Sequence, residues 1–281
     1  MDWLVDHKIP IGQWAKAFVD WLTANAAWFF DFIALVLEHV IEAILWVLQA
    51  PHPLVVVAVV VVLAWVVRRK ISFAIFVLAA MLLIINQGYW EETTETLALV
   101  LSASLVCMIV GVPIGVAAAH RPWLYEALRP ILDLMQTIPS FVYLIPALIL
   151  FGLGMVPGLI ATVIFAVPSP IRLTQLGISS TPRALIEAGE AFGATKRQLL
   201  WKVELPYALP NIMAGLTQTI MLSLSMVVIA ALVGADGLGV PTLRALNQVN
   251  IARGFEVGVA IVLVAIVLDR FFRKEPASGR G

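Results

Sequence analysis

Long, unbroken apolar runs constrain this chain more than any other feature. Residues 54–67 and 222–233 contain no charged residue. Continuous runs of this kind are typical of membrane-spanning helices, whereas the strands of a membrane barrel alternate apolar and polar residues. The chain is 61% hydrophobic and 13% charged. This composition excludes a soluble enzyme and a disordered protein, because a soluble fold could not cover so much apolar surface. The sequence therefore predicts an all-α polytopic membrane protein.

The apolar runs predict about seven spans. These are 53–68, 71–87, 97–119, 133–154, 158–176, 208–233 and 255–272. The first two are short against the roughly 20 residues that cross a bilayer, and only Arg68, Arg69 and Lys70 separate them. They are predicted to form a tight hairpin with three positive charges at its tip. The hairpin and the outer loop that follows it make up residues 51–96.

The lysines and arginines of the loops predict the orientation, because cytoplasmic loops of membrane proteins are enriched in these residues. With the hairpin tip inside, most lysines and arginines fall on the cytoplasmic side, and the outer loop 88–96 holds Glu91, Glu92 and Glu95 but no base. The chain is thus predicted to end in a short cytoplasmic tail at 273–281.

Residues 1–50 differ from the rest, because their helical stretch 12–49 carries a narrow acidic stripe. The stripe is formed by Asp20, Asp31, Glu38 and Glu42. Acids facing lipid within a span are costly, so an amphipathic helix lying along the membrane interface explains the stripe. A true span whose acids face other helices is the alternative, and the pattern leaves both open.

The sequence lacks the motifs of several kinds of binding and catalytic sites. The chain has no G-x-x-x-x-G-K-[ST] phosphate-binding loop, and its four histidines and single Cys107 form no cluster with metal-ligand spacing. No catalytic residue and no metal site are predicted. The middles of the spans hold almost no ionisable residue, whereas ion-coupled carriers usually keep such groups there.

The longest polar stretch between spans is the predicted cytoplasmic loop 177–207. Thr181 is predicted to cap a helix with Pro182 at its first position, running to Phe192. Gly193 is predicted to end that helix. The alanines on one face of it leave a smooth surface for a partner to approach: Ala184, Ala188 and Ala191.

A second helix follows in the same loop. Thr195 is predicted to cap residues 196–204, and the helix is expected to end near Leu205 because Pro206 follows. A helix–glycine–helix unit with mixed charge and a small-residue surface is predicted to be a docking element.

This loop resembles a known motif. Glu187-Ala188-Gly189, three residues, Gly193, nine residues and Val203-Glu204-Leu205-Pro206 resemble the E-A-A-x3-G-x9-I-x-L-P loop of ABC importer permeases. Gly189 stands where the motif has alanine and Val203 where it has isoleucine, and each is similar in size to the residue that it replaces. Segments on both sides resemble permeases of the glycine betaine/choline (quaternary amine) type: 133–146, 208–215, 224–230 and 237–239. The resemblance covers about residues 95–272.

The resemblance implies that residues 97–272 form the five-helix permease core, with 177–207 as its cytoplasmic coupling loop. Two copies of the chain would form a homodimer around a central path, and a separate ABC ATPase subunit, which holds ATP and Mg, would bind the loop. A periplasmic or lipid-anchored binding protein would deliver choline, glycine betaine or a similar quaternary amine. The transport would serve osmoprotection or nutrition. No cofactor is expected in this chain, and no nucleic acid partner.

Residue roles are carried over from the motif. Those of the coupling loop are Glu187, Ala188, Gly189, Gly193, Leu205, Pro206, Arg183, Lys196 and Arg197. The last three either pair with acids of the ATPase or form a solvated basic face. Candidate polar groups of the translocation path are Ser140, Tyr143, Ser223 and Ser225, for which helix–helix packing is the alternative role. An ion-coupled secondary transporter and an osmotically gated channel are the competing functions, and neither needs a docking loop.

Overall fold

The computed structural model describes residues 10–273, and within that range the chain folds into α-helices without a strand. The helices are α1 Ile11–Gln49, α2 Pro53–Arg68, α3 Ile71–Asn86, α4 Trp90–His120, α5 Pro122–Thr137, α6 Ser140–Phe151, α7 Met155–Ala166, α8 Pro168–Ser179, α9 Arg183–Ala191, α10 Lys196–Leu199, α11 Leu205–Ala230, α12 Gly239–Asn247 and α13 Ile251–Phe272. A π-helical segment, Leu200–Glu204, joins α10 to α11, and a 3₁₀ turn, Ala231–Val233, follows α11. The predicted all-α fold is confirmed.

Four stretches of the described residues are long and apolar enough to cross a membrane. They are α4, Met155–Ser179 (α7 and α8 in line), Lys196–Val233 and α13. Two further pairs pass the same test but are sharply bent, α1 with α2 by 98° and α5 with α6 by 94°. The described residues therefore hold four such spans, or six if each bent pair is one span, slightly fewer than the seven predicted, because α3 is too short to count and α2 counts only together with α1.

The predicted span 133–154 is broken near its start. Residues 133–137 complete the amphipathic helix α5, and a new helix begins at Ser140 after a break at Ile138 and Pro139. Ile138 is extended, with φ −65° and ψ 129°, because the ring of a following proline disfavours the helical conformation of the residue before it. The continuous apolar run thus hides a turn of about a right angle.

The centre of the bundle is the three-way packing of α4, α8 and α11. Small residues allow this close approach. A Cβ atom added to Gly115 of α4 would lie 2.7 Å from the carbonyl oxygen of Ile171 and 2.6 Å from Cβ of Thr174 in α8. On the other side of α8, a Cβ atom on Gly215 of α11 would lie 3.1 Å from Cα of Pro170. Glycine contacts of this kind are typical of helix packing in membranes.

The predicted hairpin of short helices is confirmed. Its helices α2 and α3 are separated by Arg69 and Lys70, and Arg69 takes the left-handed conformation, φ 51°, that reverses the chain. The two helices pack through Val57, Ala64 and Val77. The same cluster includes side chains of α13, so the hairpin rests on the last helix of the bundle.

Helix α1 packs along α4 with one face only. Gln49 donates a 2.8 Å hydrogen bond to Oγ1 of Thr94, Ile41 is buried, and Phe30 stacks edge-on against Phe151 with ring centroids 5.6 Å apart. The helix kinks at Ala26. The four stripe acids are all exposed, beside a second exposed face rich in tryptophan and phenylalanine: Trp28, Phe32 and Trp46.

The interfacial placement of residues 12–49 stays a prediction. Residues 30–49 are fastened to the bundle, so this part of α1 follows the bundle wherever the membrane boundary falls. Beyond Arg273, the predicted cytoplasmic tail lies outside the described residues.

Candidate functional site

The loop 177–207 forms two helices joined at a glycine, as predicted. Its first helix, α9, runs from Arg183 to Ala191. The predicted cap is wrong by one residue. Pro182 occupies the N-cap position, with ψ 131°, and the buried hydroxyl of Thr181 makes no hydrogen bond to another described residue. Proline has no side-chain acceptor, so no N-cap side chain binds the first N–H groups of α9.

Gly193 ends α9 by adopting φ 75°. The turn closes through two backbone hydrogen bonds, from Gly193 N–H to Glu190 O at 2.8 Å and from Ala194 N–H to Gly189 O at 3.0 Å. This left-handed closure is the usual way for a helix to satisfy its last carbonyls. The predicted break at Gly193 is therefore present.

Thr195 begins the second helix with a reciprocal cap, as predicted. Its backbone N–H donates to Oε1 of Gln198 at 2.8 Å, and the Gln198 N–H donates back to the Thr195 hydroxyl oxygen at 3.4 Å. The two bonds satisfy donors that a helix start leaves open. The direction of the second helix is thereby set at its first residue.

The second helix does not end near Leu205, so that prediction is wrong. It passes through the π-helical segment Leu200–Glu204 directly into α11, where the Leu205 N–H donates to the Leu200 carbonyl. Pro206 then lies in the first turn of α11. In a π turn each N–H donates to the carbonyl five residues back instead of four. This change occurs directly before Pro206, which has no N–H to donate. The loop and the long apolar helix are consequently one continuous element, Lys196–Val233.

One contact holds the loop against the bundle, and a second holds the two helices of the loop together. Glu204 is 8% exposed, and its carboxylate lies 2.9 Å from Nε2 of His120 at the end of α4. Nδ1 of His120 faces the Val116 carbonyl at 2.9 Å, so in the imidazolium form the ring donates to both oxygens. At the other contact, Gly189 of α9 faces Leu199, whose Cδ2 would lie 2.6 Å from an added Cβ.

The outer face of the loop is open to a partner. The three alanines predicted to form a smooth surface are all exposed, as are Arg183, Glu187, Lys196 and Arg197. Phe192, at the end of α9, is 93% exposed. Phe192 therefore adds a large apolar side chain to this exposed face. Of the remaining motif residues, Gly193 and Pro206 are exposed, and Gly189 and Leu205 are half-buried.

Two residues of this site, Phe192 and His120, were not predicted from the sequence. Phe192 stands directly before the helix-breaking Gly193, and an apolar residue beside a polar break was the available signal. His120 had no such signal, because 84 residues separate it from Glu204.

The four candidate path residues do not come together within the chain. Ser223 is fully buried, and its hydroxyl makes no hydrogen bond to another described residue. Ser225, on the opposite side of α11, is exposed and donates to the Met221 carbonyl at 3.1 Å. Tyr143 lines an apolar cavity of about 390 Å³ between α1, α6 and α7, and Ser140 is the half-buried first residue of α6.

The exposed side of α11 is a continuous stripe with polar members. It runs along the helix through Tyr207, Pro210, Ala214, Gln218, Met221, Ser225 and Leu232. Of the four candidates, Ser225 alone lies on it. Ser223, by contrast, points into the packing of its own chain.

Comparison with known proteins identifies relatives over most of the chain. Residues 111–273 match the family described as "Binding-protein-dependent transport system inner membrane component". The glycine betaine transport system permease protein OpuAB of Bacillus subtilis is 47% identical over 94% of this chain and 93% of its own length. The glycine betaine/carnitine transport permease protein GbuB of Listeria monocytogenes is 44% identical over 93% of this chain and 94% of its own.

A third relative and a solved structure agree with these. The glycine betaine/proline betaine transport system permease protein ProW of Escherichia coli is 41% identical over 94% of this chain and 75% of its own length. A structure of the MetNI methionine ABC transporter in an inward-facing conformation matches with a TM-score of 0.59 and 26% identity, over 66% of this chain and 94% of that chain.

Proposed function

The chain belongs to the family of binding-protein-dependent transport system inner membrane components, and from this membership we infer that it is the transmembrane permease of an ATP-driven importer for glycine betaine or a similar quaternary amine. It is an ABC importer permease, a multi-pass inner membrane protein and a transporter, not an enzyme. Family membership supports this function over an ion-coupled carrier or an osmotically gated channel.

The substrate class is supported by what the relatives' names share. Glycine betaine appears in all three of those described above, and a more distant relative, 35% identical over 58% of this chain, is a choline transport permease of Bacillus subtilis. Glycine betaine and choline both carry a quaternary ammonium group, whose charge is shielded by methyl groups. Spans almost free of charge suit such a cation, because they let it pass without holding it.

The observation that carries the proposal is the continuity of the docking loop with α11. A partner that moves α9 acts through the Gly189–Leu199 contact on α10, and from there on a helix that runs to Val233. The ion pair between Glu204 and His120 joins the same point to α4. Movement of the loop is therefore passed to two central helices.

In the proposed cycle, two copies of the chain surround the path, and each loop binds one ATPase subunit that holds ATP and Mg. Closure of the ATPase pair draws the two loops together and opens the path outward. Hydrolysis of ATP then returns the path to its inward-facing state. A binding protein delivers the amine from outside. Such alternating access requires contacts that differ between the two states. The loop and the C-terminus are on the cytoplasmic side in this arrangement.

A charge reversal on the exposed face of α9 tests the docking. Glu187→Lys should abolish co-purification of the ATPase and uptake of labelled glycine betaine, with normal amounts of permease in the membrane. Glu126→Lys is the matched control, since Glu126 is an exposed carboxylate of α5 outside the loop. If uptake survives Glu187→Lys at normal abundance, the loop is not the docking site.

A transport assay tests substrate and energy source together. The permease, its ATPase and its binding protein are reconstituted in vesicles that contain ATP, and uptake of labelled glycine betaine, choline and methionine is compared. Uptake of the quaternary amines should require ATP and should persist when ionophores remove proton and sodium gradients. Uptake that follows an ion gradient without ATP would overturn the proposed energy source, and preference for methionine would overturn the substrate class.

A further inference from the structure

We propose that a basic pocket at the loop-side end of the bundle binds the headgroup of an acidic phospholipid. The basic pocket is a cavity of about 560 Å³ lined by Arg68, Lys70, Arg270 and Arg273, together with Asp269 and the apolar Phe73, Met221 and Ile266. It is distant in sequence from the docking loop.

The pocket joins two segments that lie far apart in the chain. Arg68 and Lys70 come from the hairpin tip, and Arg270 and Arg273 from the end of α13. The Nε–H of Arg68 donates to the backbone carbonyl oxygen of Arg270. This bond uses one edge of the guanidinium and orients its two terminal nitrogens, so the position of Arg68 is set by a contact with α13 and not only by exposure to water.

The charges of the pocket are unequal. Three arginines line it, Arg68, Arg270 and Arg273, and Asp269 is its one carboxylate among the described residues. That carboxylate lies 3.7 Å from Nε of Arg273, and the Arg270 guanidinium carbon lies 5.7 Å from the Phe76 ring centroid. Like charges held together repel, so an anion in the pocket would lower the energy of the arrangement. Guanidinium groups bind phosphate oxygens in pairs.

The rest of the lining indicates an anion with an apolar tail. Phe73, Met221 and Ile266 form the apolar part of the pocket, and the outer faces of α2 and α3 next to it expose valine, leucine and isoleucine: Val62, Leu63, Val66, Ile71 and Ile75. A phosphate ester is the ligand chemistry that the bases favour. The apolar walls commit the site to a phospholipid rather than to free phosphate, and basic pockets between spans are known sites for anionic headgroups.

Bases near the ends of spans often only extend to the membrane surface. Two features separate this pocket from that pattern. Its bases converge on one cavity from both the hairpin and α13, and the hydrogen bond from Arg68 to the backbone of Arg270 fixes the hairpin tip to α13. Arg121 and Arg129, by contrast, are exposed bases outside the cavity.

Native mass spectrometry of the full-length protein in detergent tests the proposal. Phosphatidylglycerol and phosphatidylcholine are titrated separately, and inorganic phosphate is added as a competitor. Phosphatidylglycerol should bind, phosphatidylcholine should bind more weakly, and inorganic phosphate should not displace the bound lipid. Equal binding of the two lipids would overturn the proposal, and so would displacement of phosphatidylglycerol by phosphate.

Paired variants locate the site. Arg68→Gln with Arg270→Gln should weaken phosphatidylglycerol binding about thirtyfold, from the contribution of each base near an anionic headgroup. The control, Arg121→Gln with Arg129→Gln, removes the same charge and should change binding less than about threefold, because it removes only long-range attraction. Equal loss in both would show unspecific attraction and overturn the site.

One further variant keeps the test decisive if the double variant is unstable. Asp269→Asn removes the carboxylate of the pocket and should tighten phosphatidylglycerol binding about fivefold. Unchanged or weaker binding in Asp269→Asn would contradict the proposed placement of the headgroup.

Discussion

Gly193 holds the only left-handed backbone conformation between residues 177 and 207, with φ 75°. No other atom would crowd a side chain there, since nothing lies within 4 Å of an added Cβ. Any effect of a substitution therefore comes from the backbone conformation alone.

This gives a prediction at the residue scale. Gly193→Val should lower ATPase association about tenfold, because the left-handed conformation costs most residues roughly 1–2 kcal/mol. Gly193→Asn should keep nearly full association, since asparagine adopts this conformation readily. Co-purification of the ATPase at matched permease abundance is the measurement. Equal loss in both variants would point to side-chain size, not backbone strain.

The ion pair between His120 and Glu204 supports a second residue-scale prediction. His120→Ala leaves the buried Glu204 carboxylate without this partner, which costs about 1–3 kcal/mol, and uptake per transporter should fall. The double variant His120→Gln, Glu204→Gln replaces the pair by two neutral amides that can hydrogen-bond. It should recover part of the uptake. If the double variant transports no better than His120→Ala, the pair does not position the loop.

At the scale of elements, the crossing of α4 and α8 depends on one missing side chain. Gly115→Ala should destabilise the fold by about 1–3 kcal/mol, because the new methyl group would meet the backbone oxygen of Ile171 and the helices would have to separate. Gly258→Ala, in the middle of α13, is the control, since nothing lies within 4 Å of its added Cβ.

Unfolding of both variants in mixed micelles, followed by circular dichroism, measures the difference. Gly258→Ala should be neutral or stabilising, because alanine favours a helix more than glycine does. Similar stabilities for the two variants would mean that α4 and α8 are packed less closely than the glycine contact indicates.

Local signals predicted those elements whose ends are decided by neighbouring residues. The hairpin tip, the Thr195 cap and the turn at Gly193 each follow from residues adjacent in sequence, and each was predicted. The break at Pro139 lies inside the predicted span 133–154, because a proline alone does not decide whether a membrane helix breaks or continues. The continuation through Leu200–Glu204 was missed because Pro206 usually ends a helix, and only a change of hydrogen-bond register lets it follow one.

The candidate site was predictable to a similar depth. The motif positions and the exposed alanine face were read from spacing within a single loop. The anchoring of that loop by His120 was not, because it depends on how α4 packs beside α11. The candidate path residues show the same limit: a helical sequence places Ser223 and Ser225 on different sides of α11, but only packing decides which side is covered.

At the scale of the whole molecule, the proposed function assigns ATP hydrolysis to a separate subunit. The chain itself has no phosphate-binding loop of the G-x-x-x-x-G-K-[ST] kind. The purified chain should therefore hydrolyse no ATP, and hydrolysis should begin when the ATPase subunit is added. Release of phosphate from ATP, measured with each component alone and then together, checks this. Robust ATP hydrolysis by the permease alone would contradict the proposal that a separate subunit hydrolyses ATP.

The π-helical segment Leu200–Glu204 also determines the direction in which the docking face points. A π turn corresponds to one residue inserted into an α-helix, and one residue of an α-helix corresponds to a rotation of about 100°. Everything before Leu200 is therefore turned by that angle about the axis of α11, compared with an uninterrupted helix. Rewinding these five residues as a plain α-helix, with none removed, would swing α9 around the bundle while leaving every docking side chain in place.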